Sequence, residues 1–199
     1  DIRAELHSHT TASDGDMSIA ESAAIAQERG FHTLAITDHS KSSAVANGLS
    51  PERLREHIRA VRAADAEADG ISILAGSEVD ILVDGTLDYD DDLLAELDVV
   101  VASVHSAMGQ EREKMTARII KAMPNPHVDI IGHLTCRLLG TRDPLDLDVE
   151  AISKAAVRIM PMTACLLVIY ADMPAVPRTP ATDEVITILP PPPRFIASN

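Results

Sequence analysis

Two histidines one residue apart, His7 and His9, stand near the start of the chain within Ala4-Glu5-Leu6-His7-Ser8-His9. In an extended segment side chains repeat every second residue, so both imidazoles face the same side. Two imidazoles on one face can grip one metal ion. Asp14 follows in Ser13-Asp14-Gly15, on a turn able to bring its carboxylate back toward them. Read alone, the pair fits equally well a polar edge strand carrying two solvated histidines. Further ligand-type residues recur along the chain at His39, Glu78, His105 and His133.

The elements that must position these residues are readable from pattern. Residues 2–6 are expected as a first strand. Ser18-Ile19-Ala20-Glu21 is a capping box opening a helix that Gly30 ends. Residues 33–37 form a short apolar strand running into Asp38-His39. Ser50-Pro51-Glu52 starts a second helix, with Pro at the first helical position, and it runs to about Gly70. Strands follow at 71–75, with Glu78 just beyond, at 99–104, ending in His105, and at 128–132, ending in His133. Short helices are expected at 90–97 and 111–123, and another from Asp148 to about Val157. Alternating strand and helix is a parallel α/β signature. Each strand carries a His or Glu at or past its C-terminal end, the face where α/β barrels assemble their sites. A doubly wound sheet would concentrate ligands at one switch point instead. The pattern therefore favours a closed or nearly closed barrel.

Composition narrows the functions. Apolar residues make up 46% of the 199 and aromatics only 2%, so the core must be built from Ala, Val, Ile and Leu. A formal net charge of -14 disfavours unaided binding to nucleic acid or anionic membranes. No basic-then-apolar leader is present, and no apolar run approaches the ~20 residues of a membrane span. Cys136 and Cys165 form neither a zinc-type spacing nor a disulfide framework. A soluble cytoplasmic protein is the expectation. The chain opens at a strand without Met, as expected of a piece of a longer protein.

The character changes after residue 158. All nine glycines lie at or before Gly140, and eight of the twelve prolines lie at or after Pro161. Residues 1–150 hold 13 basic and 28 acidic side chains, and residues 151–199 hold 4 and 3. We therefore divide the chain into a main part, 1–158, and a divergent segment, 159–199, nominally the end of the same barrel. Strands are conceivable at 166–170 and 184–189, but the Pro clusters oppose ordinary turns and helices there.

The set His7-x-His9, Thr37-Asp38-His39, Gly76-Ser77-Glu78, Ser103-Val104-His105 and Gly132-His133 resembles the PHP (polymerase and histidinol phosphatase) family. Over about residues 1–150 it is most similar to the PHP domain at the C-terminal end of bacterial family X DNA polymerases. The stretches that carry this are 36–41, 45–49, 76–82, 87–89, 100–106 and Arg137-Leu138-Leu139-Gly140. The resemblance implies a distorted TIM-like barrel of seven strands, (β/α)7, of PHP type, holding two or three divalent metals. On its pattern His7, His9 and Glu78 hold the first metal. Glu78, His105 and His133 hold the second, and Asp14 and His39 the third. Imidazole with carboxylate suits zinc or manganese.

The family pattern also has a late Asp-x-His, and none follows His133 here. Asp172 and Asp183 are the candidate substitutes. Leu134 and Cys136 stand where the family usually has Pro and Gly.

Other residues have plainer expectations. His32, His57 and His127 read as solvated structural residues. Asp38 either orients His39 or caps a turn. Lys41 and Arg137 follow ligand-bearing segments and are candidates to meet a substrate phosphate. The run Asp88 to Asp92 reads as a solvated helix start, where acids suit the helix dipole. Cys136 has no His or base at a triad-like spacing, so a nucleophilic role is not expected.

The expected function is metal-dependent phosphoester hydrolysis without a separate catalytic side chain. By resemblance the substrate is a DNA 3′ end: 3′–5′ exonuclease, or 3′-phosphatase or abasic-site endonuclease, in DNA repair. DNA would be held through an attached polymerase portion not in this chain. The rival readings are a stand-alone small-molecule phosphatase, such as a histidinol phosphatase, and a degenerate non-catalytic scaffold.

Overall fold

The computed structural model describes residues 2–159 and, as backbone, the short strand Leu166–Leu167. The expected strand at 184–189, Asp172, Asp183, Cys165 and all of the 159–199 segment beyond these lie outside the described residues. The elements run β1 (Ala4–Ser8), α1 (Ile19–Glu28), β2 (Thr33–Ile36), α2 (Pro51–Glu67), β3 (Ser72–Asp80), α3 (Asp91–Leu94), β4 (Val99–Ser103), α4 (Arg112–Ala122), β5 (Ile130–Ile131), α5 (Val149–Ile159) and β6 (Leu166–Leu167).

The strands form one parallel sheet in the order β1-β2-β3-β4-β5-β6. Each strand lies beside its sequence neighbour, and the order never reverses. With right-handed crossovers this puts the helices on one face, and the sheet curls as a half-barrel. This is the α/β architecture expected for a PHP barrel, as far as the described residues go.

The two faces of the sheet are apolar in alternation. Leu34, Ile36, Ile73, Ala75, Val100, Ala102 and Ile131 join the helices in the larger core. Ala35, Val99, Val101 and Ile130, with Leu6 and Leu74, make a smaller cluster on the opposite, inner face. Strands buried on both sides explain the continuous apolar runs in the sequence. The helices contribute Leu54, Ile58 and Val61 from α2 and Met115 and Ile119 from α4, all buried. Among the described residues no helix is long and apolar enough to cross a membrane.

Local chemistry sets the helix starts. Ser18 and Glu21 complete a capping box at α1, and Ser50 accepts a hydrogen bond from the Arg53 amide ahead of Pro51.

Strand limits differ from expectation at β1, which spans Ala4–Ser8 rather than 2–6, at β5, which spans Ile130–Ile131 rather than 128–132, and most at β3. β3 does not stop at Ala75 but continues through Gly76 to Asp80. Gly76 is not a break here. A Cβ at this position would lie 2.7 Å from the Val99 carbonyl oxygen and 2.9 Å from Thr37 Cγ2. The glycine allows close approach of neighbouring strands, and Glu78 is thereby held inside a strand rather than beyond one.

Candidate metal centre

Glu78 is the hub. It sits on β3, 1% exposed. Its Oε1 lies 3.4 Å from His7 Nε2, 3.2 Å from His105 Nε2 and 2.8 Å from His133 Nε2. Its Oε2 lies 3.2 Å from His9 Nε2 and 3.1 Å from His39 Nδ1. Asp14 completes the group, with Oδ1 2.8 Å from His9 Nδ1 and Oδ2 3.4 Å from His39 Nε2. The seven ligand candidates His7, His9, Asp14, His39, Glu78, His105 and His133 therefore meet at one rim.

Each element delivers its residue for a local reason. β1 gains one residue over β2 between Glu5 and Ser8, the signature of a bulge, which re-aims side chains at a strand end. His7 is thus on a bulged strand and His9 just past it. The loop between His9 and Asp14 is fixed by Asp38, which is fully buried. Its carboxylate accepts from the Thr10 amide at 2.9 Å, the Thr10 hydroxyl at 2.9 Å, the Ser13 amide at 3.1 Å and the Ser13 hydroxyl at 2.6 Å. It also pairs with His57 Nε2 at 2.8 Å. Burial opposes its charge, but the bonds from His57, Ser13 and Thr10 outweigh that and hold the carboxyl at about 2. Asp38 orients the loop rather than His39.

Three sequence readings are corrected here. His57 is not solvated: its side chain is 10% exposed and is held on Asp38. Asp88 is buried and accepts the Ser42 amide at 2.7 Å, so the acidic run is not wholly solvated. Cys136 does have an imidazole beside it, His133 Nδ1 at 3.5 Å. It is buried, at φ 50°, and donates to the Val104 carbonyl at 3.2 Å. Asp80 escaped the sequence reading altogether. It pairs with His105 Nδ1, and its spacing two residues after Glu78 on one strand face was the available signal.

The two candidate phosphate-binding cations are both exposed. Lys41 is exposed, with Nζ 5.8 Å above the Tyr89 ring. Arg137 is exposed on the turn after Cys136. His32 and His127 lie outside the cluster, His32 bonded to the Thr33 hydroxyl.

The donor set suits a divalent cation on chemical grounds. Asp80 accepts from His105 Nδ1, which leaves His105 Nε2 as a lone pair. Cys136 donates to Val104 and so accepts from His133 Nδ1, leaving His133 Nε2 in the same state. These two nitrogens are 3.2 Å apart and both face Glu78 Oε1. Acceptors converging on acceptors require a cation between them. His39 Nδ1 is buried and makes no hydrogen bond. Triads His7–His9–Glu78, His9–Asp14–His39 and His39–Glu78–His105 each bring one ligand atom per residue within 4.8 Å.

With protons as the only cations, the same convergence shifts the imidazoles. Burial lowers the His105 value, but the Asp80 and Glu78 carboxylates outweigh it and raise it to about 9. His133 is likewise raised against burial, by Cys136 and Glu78, to about 10. Burial opposes the Glu78 charge, yet the imidazoles of His105, His133, His7 and His9 hold its carboxyl far below the usual range. His39 alone moves down, through burial and the neighbouring imidazoles.

Comparison with known proteins places the chain in a family. The chain is 46% identical over 155 residues to the DNA polymerase/3′-5′ exonuclease PolX of Bacillus subtilis (strain 168), covering 78% of the chain and 27% of that protein. It is 34% identical over 134 residues to a probable phosphatase of Thermoanaerobacter sp. (strain X514), covering 65% of the chain and 52% of that protein. The chain thus spans about a quarter of the first relative and half of the second. A crystal structure of histidinol phosphate phosphatase from Lactococcus lactis subsp. lactis Il1403, complexed with zinc, L-histidinol and phosphate, matches at 14% identity and a TM-score of 0.46, covering 79% of this chain and 68% of that one. The family model for the PHP domain matches residues 5–162, most of the chain. The chain belongs to the PHP domain family.

Proposed function

We propose that this chain is a metal-dependent phosphoester hydrolase that acts on DNA 3′ ends as a 3′–5′ exonuclease within a longer protein. The observation that carries the reading is the convergence of five imidazoles on the buried carboxylate of Glu78. His7, His9 and Glu78 would hold one metal; Glu78, His105 and His133 a second; Asp14 and His39 a third. Zinc or manganese fits these donors. When bound, a divalent metal polarises phosphoryl oxygens and yields hydroxide near neutral pH.

The chain's own residues do the rest. Glu78 would offset the charge of a bound cation, and Asp80 and Asp38 hold His105 and the His9–Asp14 loop. Arg137 and Lys41 bind the substrate phosphate, Lys41 by leaving the Tyr89 ring. Cys136 is buried and already paired, so no covalent nucleophile is required. The similarity to PolX supports a DNA end as substrate, and on this reading the protein works in DNA repair, in the cytoplasm. Since the net charge is -14, the DNA is gripped by an attached polymerase portion. Residues 1–158 are the main part of this domain and 159–199 its divergent end.

The test is hydrolysis of a 3′-labelled oligonucleotide by protein stripped of metal and reloaded with Zn2+ or Mn2+. Activity that needs the metal and vanishes in Glu78→Ala supports the reading. Equal rates with and without metal overturn it. The acidic surface favours a second reading, a small-molecule phosphatase, which would release phosphate from histidinol phosphate and leave the oligonucleotide intact. The lack of an Asp-x-His after His133 favours a scaffold, which would bind no metal.

A further inference from the structure

Asp80 is used by nothing described so far except His105, yet it is one of the most heavily engaged carboxylates in the chain. It is 1% exposed, at the last position of β3. Its Oδ1 pairs with His105 Nδ1. Its Oδ2 accepts from the Ser42 hydroxyl, and from the Ser43 hydroxyl at 3.1 Å. Its amide donates to the Ser40 hydroxyl at 2.9 Å. Ser43 Oγ also lies 3.4 Å from His105 Nδ1.

Three of the four side chains after His39 are thus organised on or beside one residue: Ser40, Ser42 and Ser43. The same loop is closed by the Ser40–Leu49 bridge, and Asp88 takes the Ser42 amide at 2.7 Å. It begins one residue after a Glu78 contact, His39, and faces another, His105. We infer that Asp80 is a positioning residue that fixes the Nδ1–H tautomer of His105 and, through Ser42 and Ser43, couples metal binding at the Glu78 hub to the order of the 40–49 loop.

The physical reason is a shared carboxylate. An imidazole whose far nitrogen donates to a carboxylate presents a more basic lone pair to a metal. The two serine hydroxyls compete for the same charge and fix its orientation. A metal on His105 Nε2 strengthens the Nδ1–H donor, which in turn steadies the carboxylate on which the loop rests. Linkage makes the effect reciprocal: loosening the loop weakens the metal.

The inference rests on the metal-dependent reading above, and the experiment separates the two. Metal-free wild type, Asp80→Ala, Asp80→Asn and the double variant Ser42→Ala/Ser43→Ala are titrated with Zn2+ by calorimetry. The His105 ring is followed by 15N NMR, and amides 40–49 by hydrogen exchange. Asp80→Ala is expected to weaken affinity about 10–100-fold and to lose the Nδ1–H signal. Asp80→Asn, still an acceptor, recovers part of both. In wild type, Zn2+ slows exchange in 40–49, and in the serine variant this slowing is lost. Wild type that binds no Zn2+ fails the metal reading. Wild-type binding with Asp80→Ala within about twofold overturns this inference, as does weakened binding with the Nδ1–H signal intact, which is a merely structural role. Should Asp80→Ala not fold, the serine variant decides alone: Zn2+-dependent protection of 40–49 equal to wild type overturns the coupling.

Discussion

His39 Nδ1 lies 3.1 Å from Glu78 Oε2, yet no hydrogen bond joins them and the nitrogen is buried without a partner. The atoms are close but misaligned for sharing a proton. Burial and neighbouring imidazoles keep His39 neutral by lowering its pKa. A neutral, aimed, unpartnered imidazole is what a metal ligand needs before the metal arrives.

His39→Ala should therefore cost little in metal-free stability and much in metal binding. No hydrogen bond from Nδ1 is lost, so denaturant unfolding without metal is expected to shift by less than about 1.5 kcal/mol. Zn2+ affinity falls at least about tenfold. His57→Ala is the contrast: it removes a bond to a buried carboxylate and costs about 1.5–3 kcal/mol. It leaves metal stoichiometry unchanged. If the two variants show the reverse pattern, the roles assigned to these histidines are wrong.

Asp38→Ala strips the acceptor from the Thr10 and Ser13 amides and hydroxyls and from His57. Several buried donors are then unpaired, and a loss of about 3–5 kcal/mol is expected. Because this carboxylate holds the loop between His9 and Asp14, the metal site should loosen as well. Urea unfolding of the metal-free protein measures the first effect, and calorimetric titration of folded variant the second. A variant of wild-type stability would contradict the assignment.

Gly76→Ala tests why β3 runs on to Glu78. The added methyl would meet the Val99 carbonyl oxygen at 2.7 Å, a backbone atom that cannot swing away. A loss of about 1–3 kcal/mol is expected, with Gly109→Ala as the contrast because a Cβ there meets nothing within 4 Å and its backbone is not left-handed. A Gly76→Ala protein as stable as wild type would mean that the strands are less tightly apposed than described.

Alkaline pH should weaken the fold through Tyr89. Its hydroxyl donates to the Leu49 carbonyl at 2.6 Å. Burial and the Asp88 carboxylate hold the phenol above its ordinary value of 10.0. The sign follows: a raised folded pKa means the contribution is complete below pH 10.0 and is lost as pH rises toward the folded value. Unfolding free energies measured from pH 9 to about 11.5 should fall more steeply in wild type than in Tyr89→Phe, which itself costs about 1 kcal/mol at neutral pH. Parallel slopes would remove Tyr89 from the account.

The parts of this molecule legible in its sequence are those written in short spacings. His7-x-His9, the capping box at Ser18 and Glu21, Pro51 and the His or Glu at each strand end all depend on neighbours within a few residues. Their convergence followed from the α/β alternation. Asp38 and His57 are 19 residues apart, and Asp80 and His105 are 25 apart. Such partnerships arise only when helices and strands pack, and local pattern carries no trace of them. The close approach at Gly76 is equally non-local, since only the neighbouring strand shows what a Cβ there would meet. The Cys136 contact is local by contrast: His133-x-x-Cys136 is a turn spacing, closed by the Cys136 amide on the His133 carbonyl.

Metal content and hydrolysis measured on one sample decide whether the Glu78 hub is a metal centre. Wild-type protein, stripped with chelator and reloaded, is analysed for bound zinc or manganese and assayed on bis(p-nitrophenyl) phosphate alongside Glu78→Ala. Wild type is expected to hold two or three ions per chain and to hydrolyse only once loaded, and the variant to lose both. Wild-type protein that binds no ion, or a Glu78→Ala variant that hydrolyses as fast as wild type, would contradict this expectation.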